Sequence, residues 1–278
     1  MTMRTEHPLF QQFPLNGKAQ TSVGCLPTPY HIYDGHGLII GGTADLNVVT
    51  ELLQTEKIYP LQTKAGKALM AIWVCDFTKA SLAPHNELQV AIAVSHQPKS
   101  AVEDHPLTLL KALFVDSDVG MLCHGLWNNS RQVVVYNREV LGLNAQLNKG
   151  EITRQYGQKS FTFADESGQM ILQGQVQMAA RSSLKVGWSL TRFFGIRQTM
   201  RAFSQSYIDT TVINTLSETS PNHQNASAYL ASDTPVLLFF DRKTDHLEFG
   251  LEPYQKVDFE PHFVEHFSPF QFVYLCPN

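Results

Sequence analysis

The sequence predicts an α+β protein that is mainly antiparallel β, and three observations carry that prediction. Stretches such as "ELQVAIAVS" (87–95) and "QMILQGQVQM" (169–178) alternate apolar and polar residues, the two-residue period of a half-buried strand. "KALMAIWVCDF" (67–77) is apolar on both faces, as a strand covered on both sides would be. Long runs with a helical period are few, and many short strands with few helices favour a sheet or barrel.

Length and composition narrow the class. The chain has 278 residues, 43% hydrophobic and 17% charged, enough to bury a sizeable core. Residues 1–28, rich in Pro, Gln and Gly, read as an N-terminal arm, and 29–278 as a single domain. A formal charge of -4 argues against a nucleic-acid partner. No apolar run approaches the roughly 18 residues of a membrane helix, and the N-terminus lacks the apolar core of a signal peptide. Cys25, Cys75, Cys123 and Cys276 stand singly, which suits neither a disulfide framework nor a zinc site. The expectation is a cytoplasmic protein with no metal and no cofactor.

In chain order, "GLIIGGTAD" (37–45) reads as a strand ending at Asp45. That aspartate is placed to cap a helix carrying Leu46, Val49 and Leu53. The glycines of "GHGLIIGG" match neither GxGxxG nor GK[ST], so a phosphate loop is not indicated. In 87–95, Leu88, Val90, Ile92 and Val94 share one face. The other face, Glu87, Gln89, Ala91, Ala93 and Ser95, is small and partly polar, and suits the wall of a cavity. "HLEFGLE" (246–252) and "FQFVYL" (270–275) read as strands, and residues 96–118 and 217–233 as insertions or loops.

Three pieces, "PTPYHIYDGHGLIIGGTADLNVVTELL", "HNELQVAIAVS" and "RQVVVYNREVLGLNAQL", resemble in order the acetoacetate decarboxylase family. The likeness covers residues 27–180. It implies a β-barrel cone with flanking helices, assembled as a homo-oligomer. In that family a lysine forms a Schiff base with a β-keto acid, and the imine is the electron sink for loss of carbon dioxide. An ordinary lysine, with a pKa of about 10.4, is a poor nucleophile. An apolar pocket or a neighbouring cation activates it, as in acetoacetate decarboxylase itself.

Placed residue by residue, the resemblance puts that lysine on Ala145, the preceding proline on Asn144 and the cationic neighbour on Gln146. The family's substrate arginine falls on Gly35, beside His36, and a further glutamate on Ala71. Of the charged groups, Glu87 alone remains. The expected function is therefore binding of a small, mostly apolar organic acid or ketone, without imine chemistry. The expected pocket is lined by Glu87, Asn144, Gln146 and Trp127, with Arg138 nearby. The alternative is a lyase or isomerase using Glu87, with His36, for proton transfer on a carbonyl compound. A third reading relocates the imine to Lys149.

Bland readings stand beside these. Arg138 and Glu139 suit ion pairs at a helix end, and Trp127 suits a core. "HFVEH" (262–266) matches a zinc-peptidase pattern, but prolines bracket it and no third ligand follows. The segment 181–203 holds five cations, four large aromatics and no acid. It reads as an amphipathic surface helix or a subunit contact.

Overall fold

The computed structural model describes residues 7–195, 208–216, 222–232 and 235–277. Helix α1 (Pro8–Gln12) precedes a hairpin of β1 (Gly17–Thr21) and β2 (Gly24–Thr28). Strand β3 (Tyr30–Asp45) enters α2 (Leu46–Leu52), followed by β4 (Tyr59–Pro60), β5 (Lys67–Ala80) and β6 (His85–Ser95). Next come α3 (Thr108–Val115), β7 (Val119–Asn128), α4 (Arg131–Glu139), β8 (Ala145–Gln155), β9 (Gln158–Asp165) and β10 (Met170–Gln177). The remainder is α5 (Leu184–Phe194), β11 (Ile208–Ile213), β12 (Asn225–Ala231), β13 (Val236–Phe239), β14 (His246–Phe249) and β15 (Glu260–Tyr274).

Seven strands close a barrel in the order β7, β11, β12, β15, β3, β5, β6 and back to β7. Every pairing is antiparallel except β7 with β11. Strand β8 leaves β7 in parallel and leads into an outer layer of β8, β9, β10 and β14. The two apolar faces of β5 explain this arrangement. Met70, Ile72 and Val74 pack with Phe161, Phe163 and Leu172 between barrel and outer layer, while Ala71, Trp73 and Phe77 point into the barrel. Gly41 is needed where β3 meets β15. A Cβ there would lie 2.1 Å from the Phe263 ring, an overlap of the kind that costs about 1–3 kcal/mol.

Asp45 caps α2 as expected, accepting from the Asn47 and Val48 amides. Elsewhere the structure adds to the expectations, and at 96–118, 217–233 and 262–266 it corrects them. The arm is structured from residue 7: α1 buries Leu9 and Phe10 against Ala231 and Val273. The stretch 96–118 contains α3, which buries Leu109 and Ala112. The stretch 217–233 contains the barrel strand β12; residues 217–221 and 233 lie outside the described residues. Within 181–203, α5 buries Val186, Leu190 and Phe194 and leaves Trp188 exposed, and 196–203 lie outside the described residues. Far from preceding a short strand, "HFVEH" lies inside the 15-residue β15. Strand alternation puts His262 and His266 on one face and Glu265 on the other.

Candidate functional site

Alternation along the barrel strands gathers one set of side chains around an interior cavity of about 130 Å³. Strand β6 contributes Glu87, Gln89 and Ala91, three members of the face expected to form a cavity wall. Strand β15 contributes Phe263, Glu265, Phe267, Phe272 and Tyr274, and β5 contributes Ala71, Trp73 and Phe77. Helix α3 closes one end with Leu109, Leu110, Leu113 and Phe114. A second, more polar hollow of about 290 Å³, lined by Asp116, Ser117 and Ser227, shares Leu113, Phe114 and Thr210 with the first. Phe114 therefore stands between the inner cavity and an outer vestibule.

Two carboxyls face this apolar space. Burial pushes Glu87 from 4.5 up to about 7, against a hydrogen bond from Asn128 that pulls it down, because a charged carboxylate is poorly solvated there. Asn128 Nδ2 donates to Glu87 Oε2 at 2.7 Å, and Asn137 Nδ2 of α4 donates to Asn128 Oδ1 at 2.9 Å. The end of β7 and helix α4 thus fix the Glu87 head group. Glu265 is also pushed to about 7 by burial alone. Its cross-strand neighbours are Ile39 and Leu237. The Tyr274 hydroxyl is buried with no hydrogen-bond partner among the described residues, an arrangement that folded proteins seldom leave unused. No Lys, Arg or His lines the cavity among the described residues.

Of the residues singled out in the sequence, the cavity takes Glu87. His36 lies elsewhere, sharing a 2.7 Å hydrogen bond between its Nδ1 and Ser268 Oγ. Burial, with Arg154 nearby, lowers its pKa. Asn144 and Gln146 are exposed. Trp127 is buried in the core outside the barrel, edge-on to Tyr254. Arg138 is exposed and donates from Nε to the Ala145 carbonyl, while Glu139 accepts from Ser22. These charges tie down backbone and a neighbouring turn and do not pair with each other. Ala145 is fully buried, in a cluster with Tyr30, Phe77 and Phe272.

Lys149, to which the third reading moved the imine, does not line the cavity, and neither does Lys159. Lys149 is exposed and donates to the Glu166 carbonyl. Lys159 is 2% exposed, and burial lowers its pKa to about 8. Its Nζ lies 3.4 Å from the His36 carbonyl, and it is not among the lining residues. Among the described residues no group of three His, Cys, Asp or Glu side chains could hold a metal.

The sequence reading missed Glu265, Tyr274 and the α3 end wall. Glu265 carried a usable signal. It is the one acid in the alternating row Phe263, Glu265, Phe267, where an apolar residue belongs.

No family model and no curated protein sequence matches the chain. Solved structures do. An acetoacetate decarboxylase from Legionella pneumophila subsp. pneumophila str. Philadelphia 1 superposes with a TM-score of 0.60 at 10% identity, over 90% of this chain and 86% of that one. The chain has the acetoacetate decarboxylase-like fold. The enduracididine biosynthesis enzyme MppR, complexed with pyruvate, matches the chain with a TM-score of 0.55 at 8% identity, over 90% of each chain. An acetoacetate decarboxylase-like enzyme from Sphingomonas wittichii RW1 gives 0.50 at 10% identity, over 90% of this chain and 91% of that one. No described helix of the chain is long and apolar enough to cross a membrane.

Proposed function

We propose that the barrel cavity takes a compact, mostly apolar carbonyl compound and that Glu87 moves a proton on it, without an imine. The carrying observation is the Glu87 carboxyl: half-buried, lining the cavity, held by Asn128 and pushed up to about 7. A group with a pKa near the working pH combines basicity with availability, which is what general acid–base catalysis needs. As a carboxylate, Glu87 takes a proton from the carbon beside the carbonyl. The Tyr274 hydroxyl, unpartnered among the described residues, supplies a donor to the carbonyl oxygen as charge builds there. Returning the proton to another carbon gives isomerisation, and expelling a β-substituent gives elimination.

Two further points support this reading. The resemblance places the family's lysine on Ala145, which has no amine, and neither Lys149 nor Lys159 lines the cavity. MppR binds pyruvate, but a carboxylate in this cavity would meet two carboxyls and no cation from the described residues. A ketone is therefore favoured over an organic acid. The test is exchange of the α-protons of 4-methyl-2-pentanone in heavy water, followed by NMR. The protein should accelerate exchange, with a rate rising through about pH 7 as Glu87 ionises, and Glu87→Gln should lose the acceleration. Exchange no faster than buffer, or equal in the variant, would refute the assignment.

A further inference from the structure

The cavity is built for more than a neutral carbonyl. Two carboxyls from different strands, Glu87 of β6 and Glu265 of β15, line this one cavity, and no cationic side chain of the described residues offsets them. Beside them stands an aromatic wall. Trp73 lies 6.1 Å from Phe267 and 6.3 Å from Phe272 between ring centroids, and Phe272 lies 5.3 Å from Tyr274. Aromatic faces attract a desolvated cation through the ring quadrupole. Each feature suits a positive charge on an apolar body, and each is unfavourable to an anion.

We propose that the natural ligand carries a basic nitrogen, and that its ammonium is held in the cavity by Glu265 against the Trp73–Phe267–Phe272 wall. This deepens the reading above and rests on its placing of the ligand in the barrel cavity. The substrate class becomes an apolar amino ketone or related amine. At about 130 Å³ the space approaches the roughly 150 Å³ cavity known to hold benzene, so the apolar body has about six carbons.

Binding of an ammonium draws the carboxyls into their charged forms, so protons leave as the amine enters. The other titratable groups facing Glu87 are Tyr30, Cys75, Cys123 and Tyr274, all raised by burial first and all neutral between pH 6 and 8. Glu265 is flanked by Ile39 and Leu237, and His262 and His266 lie on the opposite face of β15. The carboxyls therefore dominate the proton balance of the cavity.

The experiment compares three molecules of one shape on the full chain: 3-methylbutylamine, 4-methyl-2-pentanone and 4-methylpentanoate, by calorimetry at pH 6 and pH 8. The amine should bind most tightly at pH 8 and the carboxylate least. The amine's affinity should rise about tenfold between the two pH values as Glu265 ionises, with proton release visible as a dependence of the heat on buffer. Glu265→Gln should remove that tenfold rise. If the ketone binds and the amine binds no better, or with no pH dependence, the inference fails and the carbonyl reading stands. If neither binds, both fail. If the carboxylate binds best, the electrostatic argument is overturned.

Discussion

Replacing Glu265 by glutamine keeps the shape and removes the charge, so it isolates the energy of holding a carboxyl in this cavity. In the unfolded chain the group titrates near 4.5, and in the folded protein at about 7. Below the unfolded value both states carry the proton, and the carboxyl behaves much as an amide. Between the two values the folded state holds a proton that the unfolded state has released, so stability falls as pH rises. Above about 7 the folded protein contains a poorly solvated carboxylate, at a cost of about 3 kcal/mol. Glu265→Gln should therefore stabilise the protein by about 3 kcal/mol at pH 8.5 and by less than about 1 kcal/mol at pH 5. Urea unfolding of parent and variant at both pH values measures the two gains, and other titrating groups cancel in the comparison. A gain of equal size at both pH values, or a loss at pH 8.5, would refute the placement of Glu265 in the apolar cavity.

Two further outcomes follow from the site. Asn128→Ala removes the one described donor to Glu87 and strands the Asn137 amide; the midpoint of the α-proton exchange profile should move above 7, with about 1–3 kcal/mol of stability lost. An unchanged midpoint would mean that Asn128 does not set the Glu87 titration. Phe114→Ala should open the passage between vestibule and cavity at a cost of about 1 kcal/mol, since Phe114 is already 42% exposed. Stopped-flow fluorescence, with Trp73 as the reporter in the cavity wall, should then show faster ketone association; an unchanged rate places the entrance elsewhere.

The barrel was legible where residues alternate. Strand β6 displayed its apolar and polar faces openly, so Glu87, Gln89 and Ala91 could be assigned to a cavity wall from the sequence. Strand β5, apolar on both sides, showed that it was covered twice. What the sequence did not reveal depends on contacts between distant segments. Asn144, Gln146 and Arg138 lie close to Ala145 along the chain, yet the direction of β8 turns Asn144 and Gln146 outward while Ala145 packs inward. Trp127 is adjacent to Asn128, but successive residues of a strand face opposite ways; Asn128 serves Glu87 and Trp127 the outer core. Helix α3 is only eight residues long, too short for a helical period to stand out, and its packing over the barrel mouth defines it. Glu265 was hidden because 262–266 was weighed only as a zinc-peptidase pattern and set aside, and was not read as part of the strand it belongs to.

The account stands on a cavity whose chemistry belongs to carboxyls and not to an amine. The most direct test is to incubate the protein with acetoacetate, reduce with borohydride and map any adduct by mass spectrometry, beside a lysine-dependent acetoacetate decarboxylase treated identically. The decarboxylase should be labelled and this chain should not. A substrate-dependent adduct on a single lysine of this chain, Lys159 above all because burial already lowers its pKa to about 8, would show imine chemistry and contradict the account.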